Sequence, residues 1–325
     1  LSDSIIVATI NPQTLNVTMT SLARDTYIPI ACYPNKTRDK LNHARAKGRQ
    51  CLEDTVEDYL GFEIDFYFET DFYALQKIVD ELGGLELESP VEFWGSLPQE
   101  NNVDVYDEIF IPEGRTKMNG KQVVTFARER KHMPRGDFDR QMNQQYVISE
   151  LASAIIKERN PEKLVSSLEG ASQNIRTNLS IDTITKLLGF AIQQIDVSQL
   201  DALGTFRIEQ SQILGTTPMI NGMSVIVPYK NELKAAQDLI KENMQTEPTL
   251  NNIREFTYNI NEPYKTATQK RSPWGDQAGG TIDIGNVQTQ KPVPTPQEKP
   301  SNQPADLILV PDFTNPKTHT KNDLE

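Results

Sequence analysis

The sequence is poor in the residues that most metal and redox chemistry uses, with two Cys and three His among 325 residues. Nothing near Cys32 or Cys51 completes a set of four ligands, which excludes a zinc site there. Two Cys also exclude a disulfide-dense scaffold. His43 and His132 have no Ser or Cys partner in a recognisable motif, which argues against serine, cysteine or zinc hydrolysis. No apolar run approaches the roughly 20 residues of a membrane helix. Positive charge is also short: 33 Lys and Arg face 45 Asp and Glu, a net charge of −12. That balance argues against general nucleic-acid binding.

What positive charge there is lies in two places. Residues 24–49 carry Arg24, Lys36, Arg38, Lys40, Arg45, Lys47 and Arg49 against two Asp. Residues 115–145 carry Arg115, Lys117, Lys121, Arg128, Arg130, Lys131, Arg135 and Arg140 against three acids. Each segment is therefore +5, and the rest of the chain is −22. Arg is favoured where phosphate or carboxylate is recognised by a planar fork. The contrast points to an anionic ligand held by an acidic protein; chance clustering on solvated faces is the plainer reading.

Alternation predicts strands at Ser4–Ile10 and Leu15–Leu22, forming a hairpin across 4–22. Helical stripes predict helices over Cys51–Leu60, ended by Gly61, and over Phe72–Leu82, ended by Gly83-Gly84. A strand is expected at Phe66–Phe68 and another at Leu85–Phe93, then a loop to about Val105 and a short strand at Glu108–Ile111. Further helices are expected over Asn119–Ala127, from Asp137 to about Glu158, and at 161–169, 180–194 and 230–244, with a short strand at Val225–Val227. This interleaving argues an α/β or α+β domain with a central sheet; the expectation is α/β, with a mixed sheet flanked by helices. Composition changes near residue 246. Residues 246–325 hold 10 of the 20 Pro and little periodicity, so a folded domain at 1–245 and a disordered tail at 246–325 are expected. Leu307–Val310 is a short apolar exception within that tail. The chain opens directly into strand pattern, which reads as a piece of a longer protein.

On the helix from Asp137, the positions of Asp137, Arg140, Gln141 and Gln144 share one side, which continues to Ile148, Leu151 and Ile155. If the aliphatics face the core, the first two turns aim polar groups inward, where they need partners or a ligand. An internal ion pair with Asp137 is the plainer alternative. Arg128 and Arg130 alternate ahead of the Pro134–Gly136 break; on extended chain they point the same way and make a pyrophosphate clamp beside Arg140. Asp3 and Arg24-Asp25 fall at one edge of the hairpin, where carboxylates can meet Mg²⁺. Cys32 and Cys51 either close a disulfide loop, as an extracytoplasmic location favours, or stay free thiols.

Five ordered motifs then carry a resemblance: Asp3-Ser4, Ser21-Leu22-Ala23-Arg24-Asp25-Thr26, Asp39-Lys40-Leu41-Asn42-His43-Ala44, Arg128-Glu129-Arg130, and Arg135-Gly136-Asp137-Phe138-Asp139-Arg140-Gln141. In order and spacing, residues 3 to about 160 resemble the LytR-CpsA-Psr family of bacterial cell-envelope proteins. Val79–Gly84 and Met118–Gly120 also resemble family positions. The resemblance implies an apolar pocket for a polyprenyl chain and an extracytoplasmic domain tethered by an N-terminal membrane helix. It implies a phosphotransferase that moves an anionic glycopolymer, teichoic acid or capsular polysaccharide, from polyprenyl pyrophosphate to peptidoglycan with Mg²⁺. By motif position, Asp3 is a metal-site carboxylate. Arg24, Arg128, Arg130 and Arg140 bind the pyrophosphate, and Lys40, Asp137 and Gln144 complete the network. Asp25 or Asp137 would accept the proton of the attacking hydroxyl. Three departures stand out: Ala23 in place of Pro, Leu1 in place of Arg, and no upstream strand with its second carboxylate. Activity is therefore expected of the full-length protein, with an inactive fragment as the alternative. Rival readings are a binding module for the lipid-linked polymer and a lipid pyrophosphatase. A transcription attenuator is disfavoured, because no basic recognition helix is present.

Overall fold

The computed structural model describes residues 4–99, 102–158, 168–194, 208–245 and 306–310, apart from 12, 15 and 169. The hairpin forms as the alternation requires. β1 (Ile5–Ile10) and β2 (Val17–Leu22) run antiparallel, with Ile5 opposite Leu22 and Ile10 opposite Val17. β3 (Tyr27–Pro29) and β4 (Arg38–Lys40) make a short ladder that leads into α1 (Leu41–Lys47) and α2 (Arg49–Leu60). Gly61, at φ 82°, ends α2 in the left-handed conformation that its lack of a side chain allows. β5 (Phe66–Thr70) and α3 (Phe72–Glu81) follow. The Asp71 carboxylate caps α3 by accepting the Ala74 amide at 2.9 Å.

The central sheet has six strands in the order β10-β5-β12-β1-β2-β11, where β10 is Ile175–Thr177, β11 is Ile208–Gln212 and β12 is Asp306–Val310. It is mixed, as expected: β1 pairs antiparallel with β2 and parallel with β12, while β11 runs parallel to β2. β12 falls on the short apolar exception within the expected tail. The run Leu307-Ile308-Leu309-Val310 is strand-prone. It lies between β1 and β5, with Leu307 opposite Ile5 and Ile308 opposite Phe68, and so satisfies backbone groups on both neighbours. The rest of the predicted tail lies outside the described residues, as does the helix expected at 161–169, residue 168 excepted.

One face of the sheet presents Ile5, Val7 and Leu22 to Leu52, Val56 and Tyr59 of α2 and to Leu233 and Ile240 of α7 (Lys230–Met244). On the other face Ile6, Ala8, Met19 and Ile208 pack with Ile148 of α5 (Asp137–Glu158). Beyond α5 lies a second core, formed by Leu85 and Leu87 of β6 (Leu85–Ser89), Phe93 of β7 (Phe93–Gln99), Ile111 of β8 (Asn102–Ile111), Met118 of β9 (Gly114–Met118), and Val123 and Phe126 of α4 (Gly120–Arg128). α6 (Ile181–Gln194) completes the described helices. The strand expected at Leu85–Phe93 is in fact two, β6 and the start of β7. The expected loop to Val105 is instead a long antiparallel hairpin, β7 with β8. Gly95 and Pro98 in one arm and Asp104, Asp107 and Glu108 in the other hide it from a reading of strand propensity. Gly95 permits close approach, since a Cβ there would lie 2.4 Å from the Thr125 methyl.

Being enclosed on two sides, α5 is buried nearly all round. Arg140, Gln141, Asn143, Gln144 and Gln145 are buried, and Ile148, Leu151 and Ile155 are only half-buried. The stripe of Ile148, Leu151 and Ile155 expected to face the core is thus less buried than the polar groups of the first turns, because both flanks of this helix meet protein. Cys32 and Cys51 form a disulfide, with Cα atoms 5.4 Å apart.

Candidate functional site

The hairpin register brings the start of β1 and the end of β2 to one edge. Just past β2, Asp25 is bound by the Lys40 ammonium at 2.8 Å, and the Arg24 guanidinium lies 3.7 Å from its other oxygen. Lys40 is delivered by the β3–β4 ladder, whose register sets Tyr27 opposite Lys40. α1 starts against the same turn, with the Leu41 amide donating to the Thr26 carbonyl and the Asn42 amide to the Arg24 carbonyl, at 2.8 and 2.9 Å. Arg24, Asp25 and Lys40 are therefore one cluster, each partly open to solvent.

α5 brings the second charged segment to this edge. The Ser4 hydroxyl, at the start of β1, donates to the Gln144 side-chain oxygen at 2.7 Å. One turn earlier, the Arg140 guanidinium meets Asp137 at 2.9 Å, and Gln141 donates to Asp137 at 3.2 Å. Arg140 is buried while Asp137 remains a third exposed. The internal ion pair and the inward polar face are thus both present, and each Asp137 oxygen has a donor. Asp139, fully buried, accepts from the Arg135 amide and guanidinium at 2.9 and 2.7 Å, which pins the turn into α5.

α4 brings up Arg128. Asn143 of α5 donates to the Phe126 carbonyl at 3.4 Å, tying the last turn of α4 to the second turn of α5. Glu129 has extended backbone, φ −69° and ψ 132°, the extended exit that the Arg128-Glu129-Arg130 alternation anticipates. The Arg128 guanidinium covers the Phe72 ring at 4.8 Å, and Arg130 is exposed on the connection to α5. Asp3 lies outside the described residues. Among the described residues, no group of three or more His, Cys, Asp or Glu is set to hold a metal ion.

The site also has a floor of amides, of which the sequence singled out Gln144 but not Gln145 or Gln212. Gln145 donates to the Ser21 hydroxyl and the Ser211 carbonyl, both at 2.7 Å. Gln212 stands opposite Ser21 in the β11–β2 register and is buried, yet neither polar atom of its side chain has a partner among the described residues. The Gln144 side-chain nitrogen and the Gln145 side-chain oxygen are equally without partners. Burying unmatched amides costs free energy, about 1–3 kcal/mol each by mutational measures. A cluster of them beside Arg140 is a place for a polar ligand or ordered water. The signal in the sequence was Gln210-Ser211-Gln212, a polar run in the strand at the edge of the sheet beside β2.

A cavity of about 440 Å³ opens further along β5, lined by Tyr67, Phe68, Leu168, Ile175, Ile181 and Ile184 among others. β5 links it to the charged edge, since Phe72, directly after β5, lies beneath Arg128. The arrangement combines guanidinium and ammonium groups from the turn after β2, β4, α4 and α5 with unmatched amides, and an apolar recess opens along β5. It suits an amphiphile with an anionic head.

The family model described as LytR_cpsA_psr matches residues 1–242. The polyisoprenyl-teichoic acid–peptidoglycan teichoic acid transferase TagU of Enterococcus faecalis is 32% identical over 248 residues, 75% of this chain and 74% of its own. Biofilm regulatory protein A of Streptococcus mutans is 34% identical over 249 residues, 74% of this chain and 57% of its own. Among solved structures, Bacillus subtilis TagV superposes with a TM-score of 0.60 at 23% identity, over 75% of this chain and 98% of that one. A TagT structure described as bound to LIIa-WTA superposes with a TM-score of 0.55 at 19% identity, over 75% of this chain and 91% of that one. On the family match across 1–242 and the TagU relationship, the chain belongs to the LytR-CpsA-Psr family.

Proposed function

We propose that this domain is a phosphotransferase that moves a teichoic acid or a related anionic glycopolymer from a polyprenyl pyrophosphate carrier to peptidoglycan, on the extracytoplasmic face of a bacterial membrane. The observation that carries this reading is the Ser4–Gln144 hydrogen bond. It joins the hairpin edge bearing Arg24 and Lys40 to the start of α5 bearing Arg140, so the two basic segments serve one site. Support also comes from TagU, whose name gives a teichoic acid donor and a peptidoglycan acceptor. Arg24, Lys40, Arg128, Arg130 and Arg140 hold the pyrophosphate, Gln144 donates to it, and the recess beside β5 takes the start of the lipid. Asp3 would supply the carboxylate for a Mg²⁺ bound with the pyrophosphate, which would offset phosphate charge there, since a magnesium ion needs only one or two protein carboxylates beside phosphate oxygens.

In this reading an acceptor hydroxyl attacks the phosphorus that carries the polymer, and polyprenyl phosphate leaves. The protein contributes position and charge: guanidinium groups fixed in a partly dry cleft stabilise the oxygens that gain charge in the transition state. The test is incubation of the protein with lipid-linked saccharide, Mg²⁺ and peptidoglycan fragments. Transfer supports the reading. Release of phosphate without transfer makes the protein a lipid pyrophosphatase, and binding without turnover makes it a carrier module. Arg140→Ala should lower transfer by about 10²–10³, the loss typical of one oxyanion-stabilising donor. Unfolding of this variant should stay cooperative, because the Asp137 it leaves behind is a third exposed.

A further inference from the structure

We propose that His43, oriented by Asp39, is the general base that takes the proton from the attacking hydroxyl; this rests on the transfer reading above. The imidazole Nδ1 lies 2.8 Å from the Asp39 carboxylate, across the junction of β4 and α1. That carboxylate also accepts the Lys40 amide at 2.8 Å and the Tyr33 hydroxyl at 3.3 Å. Burial pushes the Asp39 carboxyl up, but the hydrogen bonds from His43, the Lys40 amide and Tyr33 outweigh it and hold it below the usual carboxylate range. An ionised Asp39 fixes the Nδ1–H tautomer and leaves Nε2 with its lone pair. The His43 side chain is 35% exposed, open to an acceptor from solution.

Position links this pair to the pyrophosphate cluster. Lys40, at the extended N-cap of α1, and His43, in its first turn, flank the start of that helix three residues apart. The Lys40 ammonium is the group that holds Asp25. The imidazole meets Asp39 of β4, Asp39 in turn accepts from the Tyr33 phenol, and the Lys47 ammonium, on the same helix as His43, sits over the Tyr33 ring at 5.8 Å. The carboxylates are worse placed to accept a proton. Asp25 is engaged by Lys40 and Arg24, and Asp137 by Arg140 and Gln141, so their oxygens already face cations or donors. His132 also meets a carboxylate, Glu129 at 3.2 Å, but that carboxylate is committed to the Lys131 and His132 amides, and the His132 ring is stacked on Phe93.

The step balances as follows. The acceptor oxygen bonds to the phosphorus bearing the polymer, and its proton passes to His43 Nε2. The bond from that phosphorus to the bridging oxygen breaks, and polyprenyl phosphate leaves with the electron pair. Asp39 stabilises the imidazolium until the proton is lost to water.

The experiment compares His43→Gln, Asp39→Asn and His132→Gln in the transfer assay, with donor binding measured separately by titration. Expected is a fall in kcat of about 10²–10⁴ for His43→Gln, the usual range for a lost general base. Donor affinity should be unchanged, and the acid-side limb of the pH–rate profile should vanish. Asp39→Asn should lose part of the rate, and nitrogen NMR should show His43 leaving the Nδ1–H tautomer. His132→Gln should keep the limb. The proposal is overturned if the limb survives His43→Gln, if donor binding falls in step with kcat, or if the limb follows His132 instead. Wild-type protein that binds donor and turns nothing over overturns the transfer reading itself. Hydrolysis with the same His43 dependence overturns only the acceptor and supports the base.

Discussion

Glu150 lies on the same helix as Arg140 but serves no site, and it shows what burial costs a single carboxylate. Burial pushes its carboxyl up; Arg115 and Lys157 pull it back, and Glu86 pushes it further up. A folded value above the ordinary 4.5 means the folded state holds the proton more tightly than the unfolded chain. Stability is therefore greatest below about 4.5 as far as this group is concerned, and it is lost as pH rises through the folded value. Glu150→Gln should raise the Tm at pH 7, with the gain shrinking as pH falls toward 4, in calorimetry run across that range. Gln212, Gln144 and Gln145 present the opposite case, since no carboxylate or guanidinium announces them. Spacing sets Gln144 beside Arg140 along α5, but it does not record what lies beside Gln145 and Gln212, namely Ser21 and Ser211 across the sheet.

At the scale of elements, α4 shows a sequence signal that translates directly into structure. Asn119 accepts the Gln122 amide, and the Gln122 side chain accepts the Asn119 amide, which closes a capping box. Asn119→Ala should cost about 1 kcal/mol in urea unfolding, as caps typically do. Because α4 positions Arg128, transfer should weaken less than with Arg140→Ala. The β1–β2 hairpin, α2 and α3 were equally legible, because alternation or a helical stripe ran up to a clear stop at Pro12, Gly61 or Gly83. The β7–β8 hairpin was not, because its pairing rather than its composition makes it a sheet: Trp94 opposite Phe110 and Leu97 opposite Asp107 only become neighbours once folded. β3, β4 and α1 are too short to show a period, yet they carry Lys40, Asp39 and His43. The site was thus readable as a list of basic residues in motifs, and unreadable as the ladder that aims them.

For the whole molecule, a net charge of −12 describes the surface and not the site. Two basic segments, one from the hairpin and α1 and one from α4 and α5, converge because α5 lies against the sheet. The sheet in turn draws its middle strand from residues 306–310, far from β1 in sequence. The same fold opens an apolar recess along β5. The central claim is that one anionic head group is gripped between the hairpin edge and the start of α5. A crystal structure of the protein with a short-chain polyprenyl pyrophosphate and Mg²⁺ tests it most directly. The account predicts pyrophosphate density within hydrogen-bonding distance of Arg24, Lys40, Arg140 and Gln144, with the lipid entering the recess at Tyr67 and Phe68. Density for the pyrophosphate elsewhere, with Arg140 still closed on Asp137 alone, would contradict it.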